Sequence, residues 1–433
     1  MEQPAKSLSA NQAWEQLLER YSIAKEVKLR GCYHIKASQI KEYREPRLMA
    51  KWDTSESLPK ALKDAGLNIL ADSRSSYVIG DFLLYEKFPQ ADPGAPVKQV
   101  RMPRYQSIDG GTISSEAGAI NVLVLSGILD DFLQEGANTA TFNGRMGTGA
   151  FEFQVNTSSG IPRRIQVNNA QCEIDGGFEN EHSVVILEAK NVLHEDFHVR
   201  QLYYPYRLWQ SRVKKPVRLV FSVYSNQIFR LFEYRFRSLE DYSSIQLVQA
   251  KRYSLQDTRI TVEELRRVRA RTPIGTDDNM CFTRVPFVQA NSMERVVSLL
   301  ENLAQTPMTP LEIARLMEFD PRQSDYYYNA GRYLGLFQKS REDKQVQVSL
   351  TALGRRIFEL PYQERQLELV GLILRHQIFA HFFDRTLQLR ALPPAEEIMG
   401  EMRRLQVCRE GQIPRRAGSV LGWLRWIFGL TQE

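Results

Sequence analysis

The sequence predicts an α/β protein in which a mixed-sheet core follows an N-terminal α+β domain and precedes a C-terminal all-α/winged-helix region. Three observations carry this. Five strand-like runs, 149–156, 165–175, 182–191, 217–225 and 227–236, cluster in mid-chain. A helix-patterned segment, 115–133, precedes them, and a second, 197–211, separates the third run from the fourth. From 293 the order changes to helix, helix, helix, hairpin, the outline of a winged helix, and then to helices alone.

Each element follows from local pattern. Residues 1–96 mix a helical opening around Trp14, Leu17 and Leu18 with short β-like pieces such as 77–80, and end in the turn-rich 88–96. In the core, 97–271, the spacing of Ile120, Leu123, Val124, Ile128 and Phe132 gives a buried amphipathic helix with Ser115 and Glu116 at its start. The 197–211 helix carries Pro205, which should kink it. A turn-rich linker, 272–292, leads to the winged helix, 293–359. There Thr309 and Glu312 form a capping box, Asp320-Pro321 starts the third helix, and 336–350 reads as a hairpin with a charged tip. The last unit, 360–433, reads as helices with a break between 396–405 and 413–428.

Composition bounds the function. At 433 residues, 43% hydrophobic and 25% charged, the chain suits a soluble protein of two to four domains. It has neither a run long enough to span a membrane nor a secretory start. The four cysteines, Cys32, Cys172, Cys281 and Cys408, form no CxxC pair, so reduced thiols and a cytoplasmic location in a bacterial or archaeal cell are expected. Formal charge is +6 but uneven: residues 197–271 hold 16 Lys and Arg against 6 Asp and Glu, while 1–196 hold 21 against 26. That asymmetry suits a polyanionic partner for the middle of the chain. No phosphate-cradling GxxxxGK[ST] or GxGxxG occurs, so no nucleotide cofactor is expected. His194 and His198 are four residues apart but lack an HExxH pattern, and a solvated or satisfied role is expected.

The sharpest feature is Glu173-Ile174-Asp175-Gly176-Gly177 followed by Glu188-Ala189-Lys190, with twelve residues between Asp175 and Glu188. Alternation along a strand puts Glu188 and Lys190 on one face and Ala189 on the other. If the chain turns at Gly176-Gly177 and the flanking strands pair antiparallel, Asp175 lies near Glu188, and two carboxylates can hold a hard cation such as Mg²⁺ beside Lys190. Phosphodiester hydrolysis needs these parts: carboxylates for a metal, and a cation to orient the nucleophile and offset charge.

These residues resemble the PD-(D/E)XK nuclease superfamily, in particular type II restriction endonucleases with a C-terminal winged helix, over roughly residues 113–240. Ile174 stands where the motif's proline would be. The resemblance implies a restriction-endonuclease-like core, with Asp175 and Glu188 binding metal and Lys190 catalytic. It adds Glu116 as an acid from the preceding helix, with Glu173 as an alternative, and places Gln201 near DNA. It further implies Mg²⁺ as cofactor with Mn²⁺ able to substitute, double-stranded DNA as substrate, and pairing with a DNA methyltransferase.

In the winged helix, Arg322, Gln323 and Asn329 are the side chains suited to reading base edges, and Arg332 and Lys339 suit phosphates. Arg415 and Arg416, at the start of the last helix, also suit DNA contact, and 44–51 is either a DNA-facing element or a surface loop. The expected function is therefore a site-specific DNA endonuclease, a homodimer if it cuts both strands of a symmetric site. The alternatives are a non-catalytic winged-helix regulator and a structure-specific repair or recombination nuclease.

Overall fold

The computed structural model describes residues 8–89, 96–108, 110, 111, 113, 115–275, 286–342 and 345–431. Cys281 and much of the expected turn at 88–96 and linker at 272–292 lie outside them.

The N-terminal unit forms because two short helices and a small sheet bury one apolar cluster. Helix α1 (Ala10–Arg20) opens with a Ser9/Gln12 capping box and turns Ala13, Trp14 and Leu17 inward; α2 (Ile23–Arg30) follows. Strand β1 (Tyr33–Lys36), helices α3 (Ala37–Lys41), α4 (Arg47–Ala50) and α5 (Lys60–Asp64), and strands β2 (Asn68–Ala71) and β3 (Ser76–Gly80) complete it, in antiparallel order β1-β3-β2. The Trp14 indole donates to the Met49 carbonyl at 2.9 Å, which anchors α4.

The core begins with β4 (Tyr85–Lys87), β5 (Val97–Gln99), α6 (Glu116–Leu125) and α7 (Ile128–Leu133). The single helix expected over 115–133 breaks at Gly127, whose φ of +71° suits glycine. Strands β6 (Thr139–Gly147), β7 (Ala150–Val155), β8 (Arg163–Asn168), β9 (Gln171–Glu179) and β10 (Val184–Lys190) come next. The short β11 (Asp196–His198) pairs with β4 and precedes α8 (Arg200–Gln210); β12 (Val217–Ser225), β13 (Ile228–Phe236) and β14 (Ile245–Ser254) finish the sheet. Seven strands lie in the order β5-β14-β13-β12-β10-β9-β6, parallel at β10/β12 and β14/β5 and antiparallel elsewhere, a large mixed sheet. β7 and β8 form a separate hairpin.

Two expectations fail here. The run 165–175 is two strands, split at Asn169, which adopts φ +55°. Gly176 and Gly177 form no turn: they lie inside β9, opposite Leu187 and Ile186, and the reversal comes at 180–183, where the Asn180 side chain accepts the His182 and Ser183 amides at 2.8 and 2.7 Å. Glycine is kept there for space, since a Cβ at Gly177 would overlap the Phe142 ring. In the seven-stranded sheet, β5, β6 and β14 are additional to the expected five runs.

The sheet buries both faces. Val185 and Leu187 of β10 pack with Ala119, Val122 and Leu123 of α6, while Ile186 packs with Leu202, Tyr203 and Tyr204 of α8. Each such aliphatic side chain contributes roughly 1.5–3 kcal/mol.

After α9 (Val262–Arg271) the chain is mainly helical. Helices α10 (Met293–Gln305), α11 (Pro310–Leu316) and α12 (Pro321–Tyr333), then β15 (Phe337–Glu342) and β16 (Gln345–Leu350), give the expected three helices and hairpin, with Met308 bridging to Val348. Then come α13 (Ala352–Glu359), α14 (Tyr362–Leu374), α15 (Gln377–Leu389), α16 (Ala395–Arg404) and α17 (Ile413–Phe428). All of them share one interior that also takes in Val192 and Ile228 from the core. Polar ties cross the same seam: Asn226 and Gln366 exchange side-chain hydrogen bonds, and Glu301, which pairs with the buried Arg365 at 2.9 Å, accepts the Asn226 amide at 2.8 Å. Among the described residues no helix is long and apolar enough to cross a membrane.

Candidate active site

Strand β10 keeps its β9 partner only as far as Leu187, opposite Gly176. Beyond that point the Asp175 carboxylate takes over and accepts the Ala189 amide at 2.9 Å. Alternation then turns Glu188 and Lys190 to the α8 side of the sheet, where the two side chains meet at 2.7 Å. From α8, Gln201 Nε2 donates to the same oxygen, Glu188 Oε1, at 2.6 Å, so Oε2 takes no bond from either. Gln201 is thus bound to an acid of the site, a nearer position than the DNA-proximal one expected for it.

Glu188 is 8% exposed, and burial pushes its carboxyl up to about 8; Lys190 opposes that rise and Asp175 adds to it. Burial alone would lower Lys190, but Glu188, Glu116, Asp53 and Asp175 together hold it well above its ordinary value, so it stays charged. Glu116 occupies the first turn of α6 behind the Ser115 cap. Burial raises it too, while Lys190 lowers it and Asp175 raises it.

The cleft around these groups has a volume of about 520 Å³ and receives Arg47, Lys51 and Asp53 from the N-terminal unit and Arg145, Glu173 and Arg200 from the core. Larger cavities of about 610 and 890 Å³ lie elsewhere and hold none of Asp175, Glu188 or Lys190. The stretch 44–51 therefore faces the cleft. Glu173 sits at its mouth, paired with Arg145 at 3.3 Å and Lys51 at 3.8 Å.

Three residues of this charge cluster carried no sequence signal. Asp53 pairs with Arg200 at 3.4 Å. Glu318 follows α11 with φ +50°, its carboxyl pushed up to about 8 by burial and by Asp53, against Lys190. A cavity of only about 10 Å³ is lined by Lys190, Asp53, His194, Gln201 and Glu318. His194 Nδ1, Gln201 Oε1 and Glu318 Oε2 are buried there without a protein hydrogen-bond partner. His198 lies in β11 and not on a helix with His194; its Nδ1 lies 3.1 Å from the Tyr242 hydroxyl.

Away from the cleft, α12 presents Arg322 and Arg332 exposed and Gln323 and Asn329 half-buried. Lys339 on β15 bonds Asp325 at 2.8 Å and lies 4.1 Å over the Tyr328 ring. Arg415 stacks 5.1 Å over Tyr326, so α17 and α12 share one surface. Arg416 does not join it. It is 5% exposed and donates to the Phe287 carbonyl, because neighbours on a helix point about 100° apart.

Three family models match the chain, each described as a domain of unknown function: DUF6996 over residues 11–79, DUF6997 over 80–254 and DUF7226 over 295–432. No curated protein and no solved structure matches it. The three matched regions meet around Lys190, at the small cavity lined by Asp53, Lys190, Gln201 and Glu318. Asp175, Glu188, Lys190 and Gln201 fall in the second, Asp53 in the first and Glu318 in the third.

Proposed function

We propose that this protein is a Mg²⁺-dependent endonuclease that hydrolyses double-stranded DNA at a short specific sequence, built on a restriction-endonuclease-like core with a winged helix at 293–359. One observation carries the reading: at the diverging ends of β9 and β10, Asp175, Glu188 and Lys190 meet with Glu188 held by both Lys190 and Gln201.

The residues suit a hard cation. Among the described residues no three His, Cys, Asp or Glu side chains stand at metal-ligating spacing, and Mg²⁺ needs fewer, since one or two carboxylates completed by water and substrate phosphate are its usual set. Asp175 and Glu188, with Glu116 beside them, would supply those oxygens. Burial makes the charge on Glu188 costly, and a cation beside it would offset that cost. When bound, Mg²⁺ supplies Lewis acidity toward the scissile phosphate.

The chain's own groups do the rest. Lys190, held charged, orients a water for in-line attack and offsets charge on the phosphate oxygens. Gln201 fixes the rotamer of Glu188. Exposed Arg322, with Gln323 and Asn329, reads base edges, while Arg332, Lys339 and Arg415 hold phosphates. The reading also carries Mn²⁺ as a substitute, a second copy for the second strand, a companion DNA methyltransferase and a cytoplasmic setting.

The test is a large duplex of known sequence incubated with the full chain, in Mg²⁺ or in EDTA, beside Lys190→Ala. Discrete Mg²⁺-dependent fragments absent with the variant are expected. Retarded but intact DNA throughout, on a substrate with unmodified sites, would favour a non-catalytic regulator.

A further inference from the structure

Glu173 is a neighbour of Asp175 in β9, yet its side chain serves the rim of the cleft. It bridges two cations from different units: Arg145 lies opposite it on β6, and Lys51 comes from the segment after α4. The same seam carries a second contact, Arg47 Nη2 to Gln171 Oε1 at 3.5 Å, and Arg74 also lines the cleft. Side-chain exposures are 45% for Glu173, 57% for Arg145 and 54% for Lys51, so all three atom groups meet water.

We propose that Glu173 occupies the place of a substrate phosphate, and that Lys51 and Arg145 form a phosphate clamp which a nucleic-acid backbone engages by displacing this carboxylate. The proposal rests on the endonuclease reading and names the rim of the same cleft. Two cations converging on one oxyanion from opposite walls give the geometry a phosphodiester needs, and both stand at the entrance to Asp175, Glu188 and Lys190. Exposed ion pairs are weak and screened, so a phosphate joined to its neighbours along a strand competes with a single carboxylate. The N-terminal unit thereby acts as one jaw of the cleft. Glu173 is a competitor for the clamp and has no part in holding metal.

The experiment measures binding of a fluorescent duplex oligonucleotide to the full chain in EDTA over a range of salt, for wild type, Glu173→Gln, Lys51→Ala and Arg145→Ala. Glu173→Gln should bind up to about fivefold tighter at low salt. Lys51→Ala and Arg145→Ala should each bind more weakly, with the slope of log affinity against log salt shallower by about one. Unchanged affinity and slope in both cation variants overturn the clamp while leaving the endonuclease reading standing. Glu173→Gln that binds as wild type yet loses Mg²⁺-dependent cleavage also overturns it, by making Glu173 a metal ligand. A wild-type chain that binds no duplex at any salt removes the endonuclease reading and the clamp with it.

Discussion

The Thr54 hydroxyl donates to the Glu318 carbonyl at 3.1 Å, a hydrogen bond between residues 264 positions apart. It ties the N-terminal unit to the turn between α11 and α12 and holds the Glu318 carboxyl in the field of Asp53, Lys190, Glu116 and Lys51. Asp320, which caps α12, is only two residues further on.

Glu318 gives a pH prediction. Its folded value, about 8, lies above the ordinary 4.5, so its contribution to stability is complete below 4.5 and is lost as pH rises through about 8. In EDTA the wild-type melting temperature should fall between about pH 4.5 and pH 8, and Glu318→Gln should flatten that fall. Parallel melting curves for the two proteins would remove Glu318 as the source.

Lys190→Ala should retain duplex binding and lose cleavage by at least about 10²-fold, the usual cost of removing one charge-stabilising donor. Single-turnover cleavage on a substrate bound equally by both proteins is the measurement. Undiminished cutting would sink the assignment.

Gln201→Ala frees Glu188 from one of its two donors. Half-maximal activity should then require about 10- to 100-fold more Mg²⁺, the scale for a lost outer partner of a metal ligand. A Mg²⁺ titration separates this from a general loss, since saturating Mg²⁺ should restore much of the rate.

Arg322 and Arg416 should part company. Arg322→Ala should cost about 1–3 kcal/mol at one base position, seen in a panel of single-substituted duplexes. Arg416→Ala removes a buried donor and should lower stability by about 1–3 kcal/mol, leaving discrimination among duplexes unchanged.

That Asp175, Glu188 and Lys190 lie close together was legible because strand alternation and a short spacing are local properties, and the same holds for the Thr309/Glu312 capping box that opens α11. Strand β6 was not legible: it is a sheet edge whose residues, Thr139, Ala140 and Thr141 among them, are exposed and show no apolar alternation. Gly176-Gly177 misled, because glycine marks close packing as often as reversal, and here the Phe142 ring decides. Arg416 misled although the helical period was available. Asp53 and Glu318 were beyond reach, since what brings them together beside Lys190 is tertiary contact between distant segments.

The seam between the sheet and the C-terminal helices has a consequence for engineering and descent. The β10 strand runs straight on into it, the Asn191 and Leu193 carbonyls accepting from Ser298 and Arg295 at 3.3 Å each. Arg295 in turn grips Glu56 of the N-terminal unit at 2.7 Å. Cutting the chain before α10 would open an oily wound on both halves, so the C-terminal part is no interchangeable cassette.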